Sequence, residues 1–238
     1  MQNKKVVLVT GGSQGLGKAI CTTLAEDHIV IIGDIQDAKA VKLAEEIQEN
    51  NGEAYPLHLD VSKEENVKEA LQEITGKYGR LDVLINNAGV DFTKPITEMS
   101  VAEWDVVMSV NLRGPFITSK YVLPVMSGQG GGHIINIVST ACLRAWPEAS
   151  AYHASKWGLR GFTQALFTEA RQHGIKVTAL IAGGMKTPFL LDRFPDIDQN
   201  KLQDPENVAG NIRYILEGPA DTAVPEIMVI PLHETSWP

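Results

Sequence analysis

The chain sets a tyrosine and a lysine four residues apart, Tyr152 and Lys156, inside the stretch STACLRAWPEASAYHASK that begins at Ser139. At the start of a helix that spacing puts phenol and ammonium on one face. A nearby cation favours the phenolate, so the tyrosine pKa is expected to fall below its ordinary value of about 10. Ser139 closes the apolar run HIINIV, where a buried strand would deliver its hydroxyl to the same space. Thr140 offers a second hydroxyl, but the interval to Tyr152 favours Ser139. A hydroxyl donor, a tuned phenol and a cation can together polarise a carbonyl and exchange a proton with it. His153, next to Tyr152, points elsewhere on a helix and is not expected to take part.

A second constellation supplies a partner for that chemistry. The run VVLVT passes directly into Thr10-Gly11-Gly12-Ser13-Gln14-Gly15-Leu16-Gly17, and helical periodicity follows at once. Glycines there let the backbone turn tightly and approach a pyrophosphate, whose charge a helix N-terminus favours. The spacing departs from G-x-G-x-x-G, because three residues separate Gly11 from Gly15. The next apolar run ends Ile32-Gly33-Asp34, where an acidic side chain can bind adenosine ribose hydroxyls. Asp34 also repels a 2′-phosphate, and neither Ser13 nor Ile35 brings a positive charge. NAD is therefore expected over NADP.

These residues need a scaffold, and the hydrophobic pattern provides one. Seven short apolar runs stand out: VVLVT, HIVIIGD, AYPLHLD, DVLINNAG, HIINIVS, KVTALIAG and EIMVIP. Most are continuous rather than alternating, as in strands buried on both faces of a parallel sheet. Helical periodicity lies between them, over 18–26, 38–48 (stopping at Asn51-Gly52) and from Ser62, whose Glu65 suggests a capping box. Longer helices are expected over 101–125 and 150–173. Strand alternating with helix is the signature of a doubly wound α/β fold, which gathers strand C-termini and ligands along one edge. Residues 127–132, SGQGGG, read as an exposed turn, 188–205, with three prolines, as a functional lid or a mobile loop, and about 184–205 as the substrate loop.

With 238 residues, 44% of them hydrophobic and 21% charged, the chain suits one large soluble domain over residues 1–238. The formal net charge of −8 argues against nucleic acid or an anionic membrane as partner. The apolar run near the N-terminus is too short for a signal peptide, and none approaches a membrane span. Two distant cysteines, Cys21 and Cys142, suit a reducing, cytoplasmic compartment. The six histidines have no metal-ligand spacing, so no metal is expected.

The motif set TGGSQGLG, NNAG at 86–89, Asn111 in VNLRG, and Ser139, Tyr152 and Lys156 resembles the short-chain dehydrogenases/reductases over essentially the whole chain. The resemblance implies one Rossmann-like domain with a seven-stranded parallel sheet flanked by helices. It implies that Asp60 and Val61 flank the adenine and that Asn87, Ala88 and Gly89 line the cofactor cleft. It further implies that Tyr152 is the general acid/base and that Ser139 orients the carbonyl. Lys156 would hold the nicotinamide ribose and tune the tyrosine, and Asn111 would complete a proton-relay path. The activity implied is hydride transfer between NAD(H) and a small secondary alcohol or ketone, in a homodimer or homotetramer.

Two stretches depart from the family pattern. Where the family has Asn-Pro-Gly, this chain has Ile181-Ala182-Gly183-Gly184. Gly183 still permits close approach of the nicotinamide, Thr187 follows at the usual offset to bind carboxamide or pyrophosphate, and a looser loop is expected without the proline. The usual C-terminal Val-Asp-Gly-Gly run is replaced by residues 225–237, whose tail is expected to pack differently at a subunit interface. Asp91, Phe92, Cys142, Leu143, Trp146, His153, Gly184, Phe189 and Leu190 are candidate substrate-pocket residues, and their apolar bias suggests a modest hydrophobic alcohol or ketone. Small residues at 151, 154, 155, 158 and 161, facing the helix with Trp104, Val107 and Met108, resemble the family's dimer-building face. An NADPH-linked carbonyl or 3-oxoacyl reductase and a catalytically silent nucleotide-binding regulator stay open as other readings.

Overall fold

In a computed structural model, described over residues 4–234, seven parallel strands form one sheet. The strands are β1 (Val6–Thr10), β2 (Ile29–Asp34), β3 (Glu53–His58), β4 (Val83–Asn86), β5 (Gly132–Ile137), β6 (Ile175–Ala182) and β7 (Glu226–Val229). Their order is β3-β2-β1-β4-β5-β6-β7, the Rossmann-like arrangement expected. The order reverses between β1 and β4, and at such a switch point the crossovers leave a crevice beyond the strand ends. Register lines those ends up: Thr10 pairs with Gly33, Asn86 with Asn136, and Ile137 with Leu180.

The helices are α1 (Gly15–Leu24), α2 (Asp37–Glu49), α3 (Glu64–Tyr78), α4 (Val101–Met108), α5 (Gly114–Gly128), α6 (Ser150–Ala170), α7 (Pro188–Leu191) and α8 (Pro205–Glu217). Strand alternation divides the core between the two sheet faces. Val7, Val9, Ile32 and Ile85 face one way and meet Ile20, Leu24, Leu43 and Ile212 from α1, α2 and α8. Leu8, Ile31, Leu84 and Ile134 face the other way and meet Val67, Ile74, Ile117 and Leu166 from α3, α5 and α6. Each fully buried aliphatic side chain contributes about 2 kcal/mol relative to exposure. Both faces being covered explains why the strand sequences run apolar without alternation. No helix among the described residues is long and apolar enough to cross a membrane.

Two local expectations need correction. Ser62 does not cap α3, which starts at Glu64; its hydroxyl instead donates to Asp60 Oδ1 at 2.6 Å. The carboxylate two residues back competes successfully for the same hydroxyl. The capping box that does form is Ser100 with Glu103, at α4. The helical stretch expected over 101–125 is broken by a wider π-helical turn, Ser109–Arg113, between α4 and α5. Of the small residues on α6, Ala151 and Ser155 are buried and Gly158 sits against Leu112, while Gly161 is exposed with open space beside it.

A buried polar chain runs beneath the strand ends. Thr118 donates to Asn86 Oδ1, Asn86 Nδ2 to Asn136 Oδ1, and Asn136 Nδ2 to Thr163 Oγ1, each within 2.8 Å. It ties α5, β4, β5 and α6 in one register, as a fully satisfied buried network does.

Candidate active site

The β1–α1 turn is held against the end of β4 by paired hydrogen bonds. Thr10 Oγ1 accepts from the N–H groups of Asn87 and Ala88, both at 3.1 Å, while Asn87 Nδ2 donates to the carbonyls of Thr10 and Gly11. Gly11 has φ +61°, and a Cβ there would lie 2.8 Å from Ala88 Cα. At Gly17 an added Cβ would stand 2.0 Å from the Gly11 carbonyl oxygen, so a side chain is excluded. These glycines keep the first turn of α1 open to a ligand.

Asp34, at the end of β2, is buried and points back at this turn. Its Oδ2 accepts from Ser13 N–H at 3.0 Å and its Oδ1 from Gln36 N–H at 2.9 Å. A carboxylate has about four lone-pair sites, so acceptor capacity remains. Lys39, overlooked in the sequence, donates to Gln14 Oε1 at 2.7 Å and brings a cation beside the glycine loop.

In the π-helical turn, Asn111 is fully buried. Its amide spans the Val90 backbone, accepting from Val90 N–H and donating to Val90 carbonyl at 2.8 Å each, and donates to Ser155 Oγ at 3.1 Å. An amide side chain in a helix interior takes this backbone role when the helix widens locally. Asn111 Oδ1 and Lys156 Nζ both flank Gly89.

Ser139 ends the β5 run with its Oγ accepting from Ala141 N–H at 3.2 Å. Lys156 Nζ donates to the Ile137 carbonyl at 2.8 Å and lies 5.6 Å from the Tyr152 ring centroid. The shared face expected of Tyr152 and Lys156 is therefore present. The electrostatic expectation is overturned: burial pushes the Tyr152 phenol up to about 12, and the Ser139 hydrogen bond that favours the phenolate does not offset it. Burial also lowers Lys156 to about 8. Desolvation is the largest influence on both groups.

One cleft of about 940 Å³ connects these groups. Gly11, Gln14, Gly15, Leu16, Gly17, Asp34, Ile35, Asp60, Val61, Asn87, Ala88, Gly89, Ser139, Tyr152, Lys156, Gly183 and Thr187 all line it. Ser13 and Asn111 do not; they act from behind the wall. Its length, from Asp34 past the glycine turn to Tyr152, and the cradle that only glycines permit suit a dinucleotide.

The far end of the cleft is built differently. Asp91, Trp146, Gly184, Phe189 and Leu190 line it, but Phe92, Cys142, Leu143 and His153 do not. Cys142 belongs to a core cluster with Val138, Leu159 and Ile181. His153 takes Trp146 N–H on Nε2 and so donates Nδ1–H to the Ala141 carbonyl, holding the 141–146 loop in place. The 183–187 loop is not loose: Gly183 N–H bonds Val229 carbonyl, Gln203 N–H bonds Gly184 carbonyl, and Gly184 N–H bonds Glu234 Oε2 at 2.8 Å. The tail thus folds onto its own chain as far as Glu234, and Thr235–Pro238 lie outside the described residues. Above Tyr152, the Phe189 ring stands 5.8 Å away and carries the Arg193 guanidinium 4.0 Å over its face. Arg193 in turn pairs with Asp91. Arg193, Thr93 and Glu234 were missed in the sequence, where no local pattern joins them.

Over residues 5–198 the chain matches the family described as short chain dehydrogenase. It is 34% identical over 230 residues to an uncharacterized oxidoreductase of Staphylococcus saprophyticus, covering 96% of this chain and 97% of that one. An uncharacterized oxidoreductase of Thermotoga maritima is 38% identical over 188 residues, 79% of this chain and 73% of the other. Among solved structures, an alcohol dehydrogenase from the archaeon Thermococcus sibiricus, complexed with 5-hydroxy-NADP, superposes with a TM-score of 0.90 at 30% identity, covering 98% of both chains. A metagenomic short-chain oxidoreductase in complex with NADP superposes with a TM-score of 0.85 at 30% identity, over 95% of this chain and 96% of its own.

Proposed function

The chain belongs to the short chain dehydrogenase family and is an oxidoreductase of that family, and from that premise we propose that it interconverts a secondary alcohol and a ketone with NAD(H). The observation that carries the reading is the convergence of Ser139, Tyr152 and Lys156 on one cleft with the glycine turn and Asp34 at its other end. A bound nicotinamide dinucleotide supplies the hydride acceptor or donor. In the oxidation direction Tyr152 takes the hydroxyl proton from the substrate, and in reduction it returns one. Ser139 donates its hydroxyl to the substrate oxygen and steadies the charge that develops there. Lys156 holds the nicotinamide ribose and presents its charge to the phenol. Asn111 fixes Val90 and Ser155 around Gly89, so its part is to shape the wall and the proton path beside Lys156.

Asp34 supports NAD over NADP, since a carboxylate with both oxygens anchored cannot swing away from a 2′-phosphate. The second reading, an NADPH-linked carbonyl reductase, is favoured by Lys39 beside Gln14 and by the 5-hydroxy-NADP and NADP held by two similar structures. Assembly as a homodimer or homotetramer is supported by exposed Val101, Val106, Phe116 and Trp157 on α4, α5 and α6. Titrating the protein with NADH and NADPH by cofactor fluorescence, then screening alcohols and ketones at the reduced-nicotinamide absorbance band, tests the proposal. Turnover with NAD at about tenfold or more the kcat/KM with NADP is expected, about 1.4 kcal/mol; binding with no turnover of any carbinol or ketone would sink it.

A further inference from the structure

Asp91 carries a feature that its pairing with Arg193 does not explain. Its side chain is 6% exposed, its Oδ2 pairs with Arg193, the Phe92 N–H also favours the carboxylate, and its Oδ1 is buried with no well-formed hydrogen bond among the described residues. Two residues on, Thr93 Oγ1 is likewise buried without a partner, and both residues line the substrate end of the cleft. Leaving a carboxylate oxygen unsatisfied in a dry site is costly, and in a native fold such a group calls for an explanation. Arg193 completes the set. Its Nε donates to Phe189 carbonyl at 2.7 Å and its Nη1 to Asp91, and the residue lines the cleft.

We propose that Asp91, Thr93 and Arg193 form a binding subsite for a second hydroxyl group on the substrate, so that this chain acts on diols, polyols or hydroxyketones. The inference rests on the oxidoreductase reading and narrows its substrate class. A hydroxyl is the simple group that donates and accepts at once, so it can donate to Asp91 Oδ1 and accept from the Thr93 hydroxyl or the guanidinium beside them. A carboxylate would match Arg193 but meet Asp91, and an ammonium would match Asp91 but meet Arg193. The pair is formally neutral, which suits an uncharged ligand. Arg193 sits over Phe189, and Phe189 over Tyr152, so the subsite adjoins the reacting carbinol. Both orphan atoms are covered in this structure, so a hydroxyl reaches them only when the side chains around them move.

Steady-state oxidation of cyclohexanol and of trans-1,2-cyclohexanediol, with whichever nicotinamide the intact protein prefers, reads the subsite directly. The diol is expected to win by about tenfold in kcat/KM, since a site built for a hydroxyl discriminates against its absence. Asp91→Asn should collapse that ratio toward one, and Thr93→Val, a milder change, should reduce it about threefold. The diol should also raise the melting temperature of the cofactor-saturated wild-type protein more than cyclohexanol does. Equal kcat/KM for the two alcohols in the wild type overturns the subsite while leaving the oxidoreductase reading standing. So does an Asp91→Asn protein that loses activity on both alcohols with the ratio unchanged, which would mark the pair as a lid latch only. Absence of all alcohol or ketone turnover would remove the parent reading and the subsite with it.

Discussion

The two halves of the cleft are built on opposite plans. The half from Asp34 to Gly89 rests on strand ends and a helix start, with side-chain-to-backbone hydrogen bonds joining the ends of neighbouring strands. Its walls are fixed wherever the sheet is fixed. The half from Asp91 to Glu234 is assembled from a loop, a four-residue helix and the chain's tail, joined by side-chain contacts 50 and 102 residues apart in sequence. The first can hold a constant ligand, and the second can change its ligand by changing a few exposed residues without disturbing the sheet.

Tyr152 stands at the seam, and its removal should have the largest effect. Tyr152→Phe is expected to lower turnover about a thousandfold, the scale of a lost acid/base group, and to leave NADH affinity nearly unchanged. A titration of the tyrosinate absorbance band adds a pH test. The ligand-free protein should contain a phenol titrating at about 12, absent from the variant, because burial raises it. Adding NAD places a cationic ring beside that phenol, so its pKa should move down. Retained turnover in Tyr152→Phe would break the assignment of the seam altogether.

The next largest effect belongs to the fixed half. Asp34→Asn keeps the shape but removes the charge, and it turns one acceptor into a donor facing the Ser13 or Gln36 N–H. The ratio of kcat/KM with NAD to that with NADP should shift toward NADP by about tenfold, some 1.4 kcal/mol. An unchanged ratio would show that Lys39 and Gln14, rather than Asp34, set the preference.

The same division governs what the sequence made legible. The strands and their alternation with helices, the glycine turn, Asp34 and the Tyr152–Lys156 face are carried by short-range patterns: apolar runs, turn chemistry and helical spacing. The direction of the Tyr152 pKa was not, because desolvation depends on everything packed around the phenol rather than on the lysine one turn away. Ser62 was misread as a cap for a related reason, since Asp60 competes for its hydroxyl. Cys142 and His153 were counted as pocket residues by proximity in sequence to Tyr152, yet one faces the core and the other anchors a loop. Arg193 and Glu234 were invisible because their partners lie far along the chain.

Glu234 gives the smallest effect and the sharpest division of the halves. Its carboxylate accepts from Gly184 N–H, in the loop that also carries Gly183 and Thr187 toward the cofactor half. Glu234→Ala leaves that N–H without its acceptor, at a cost of about 1 kcal/mol seen as a lower melting temperature. If the tail serves the substrate half, KM for the alcohol should rise a few-fold, on the order of threefold, with kcat and NADH affinity held. If NADH affinity falls by the same factor, Gly184 transmits the loss to Gly183 and Thr187. The boundary between the halves would then lie beyond β6, with the tail on the cofactor side of it.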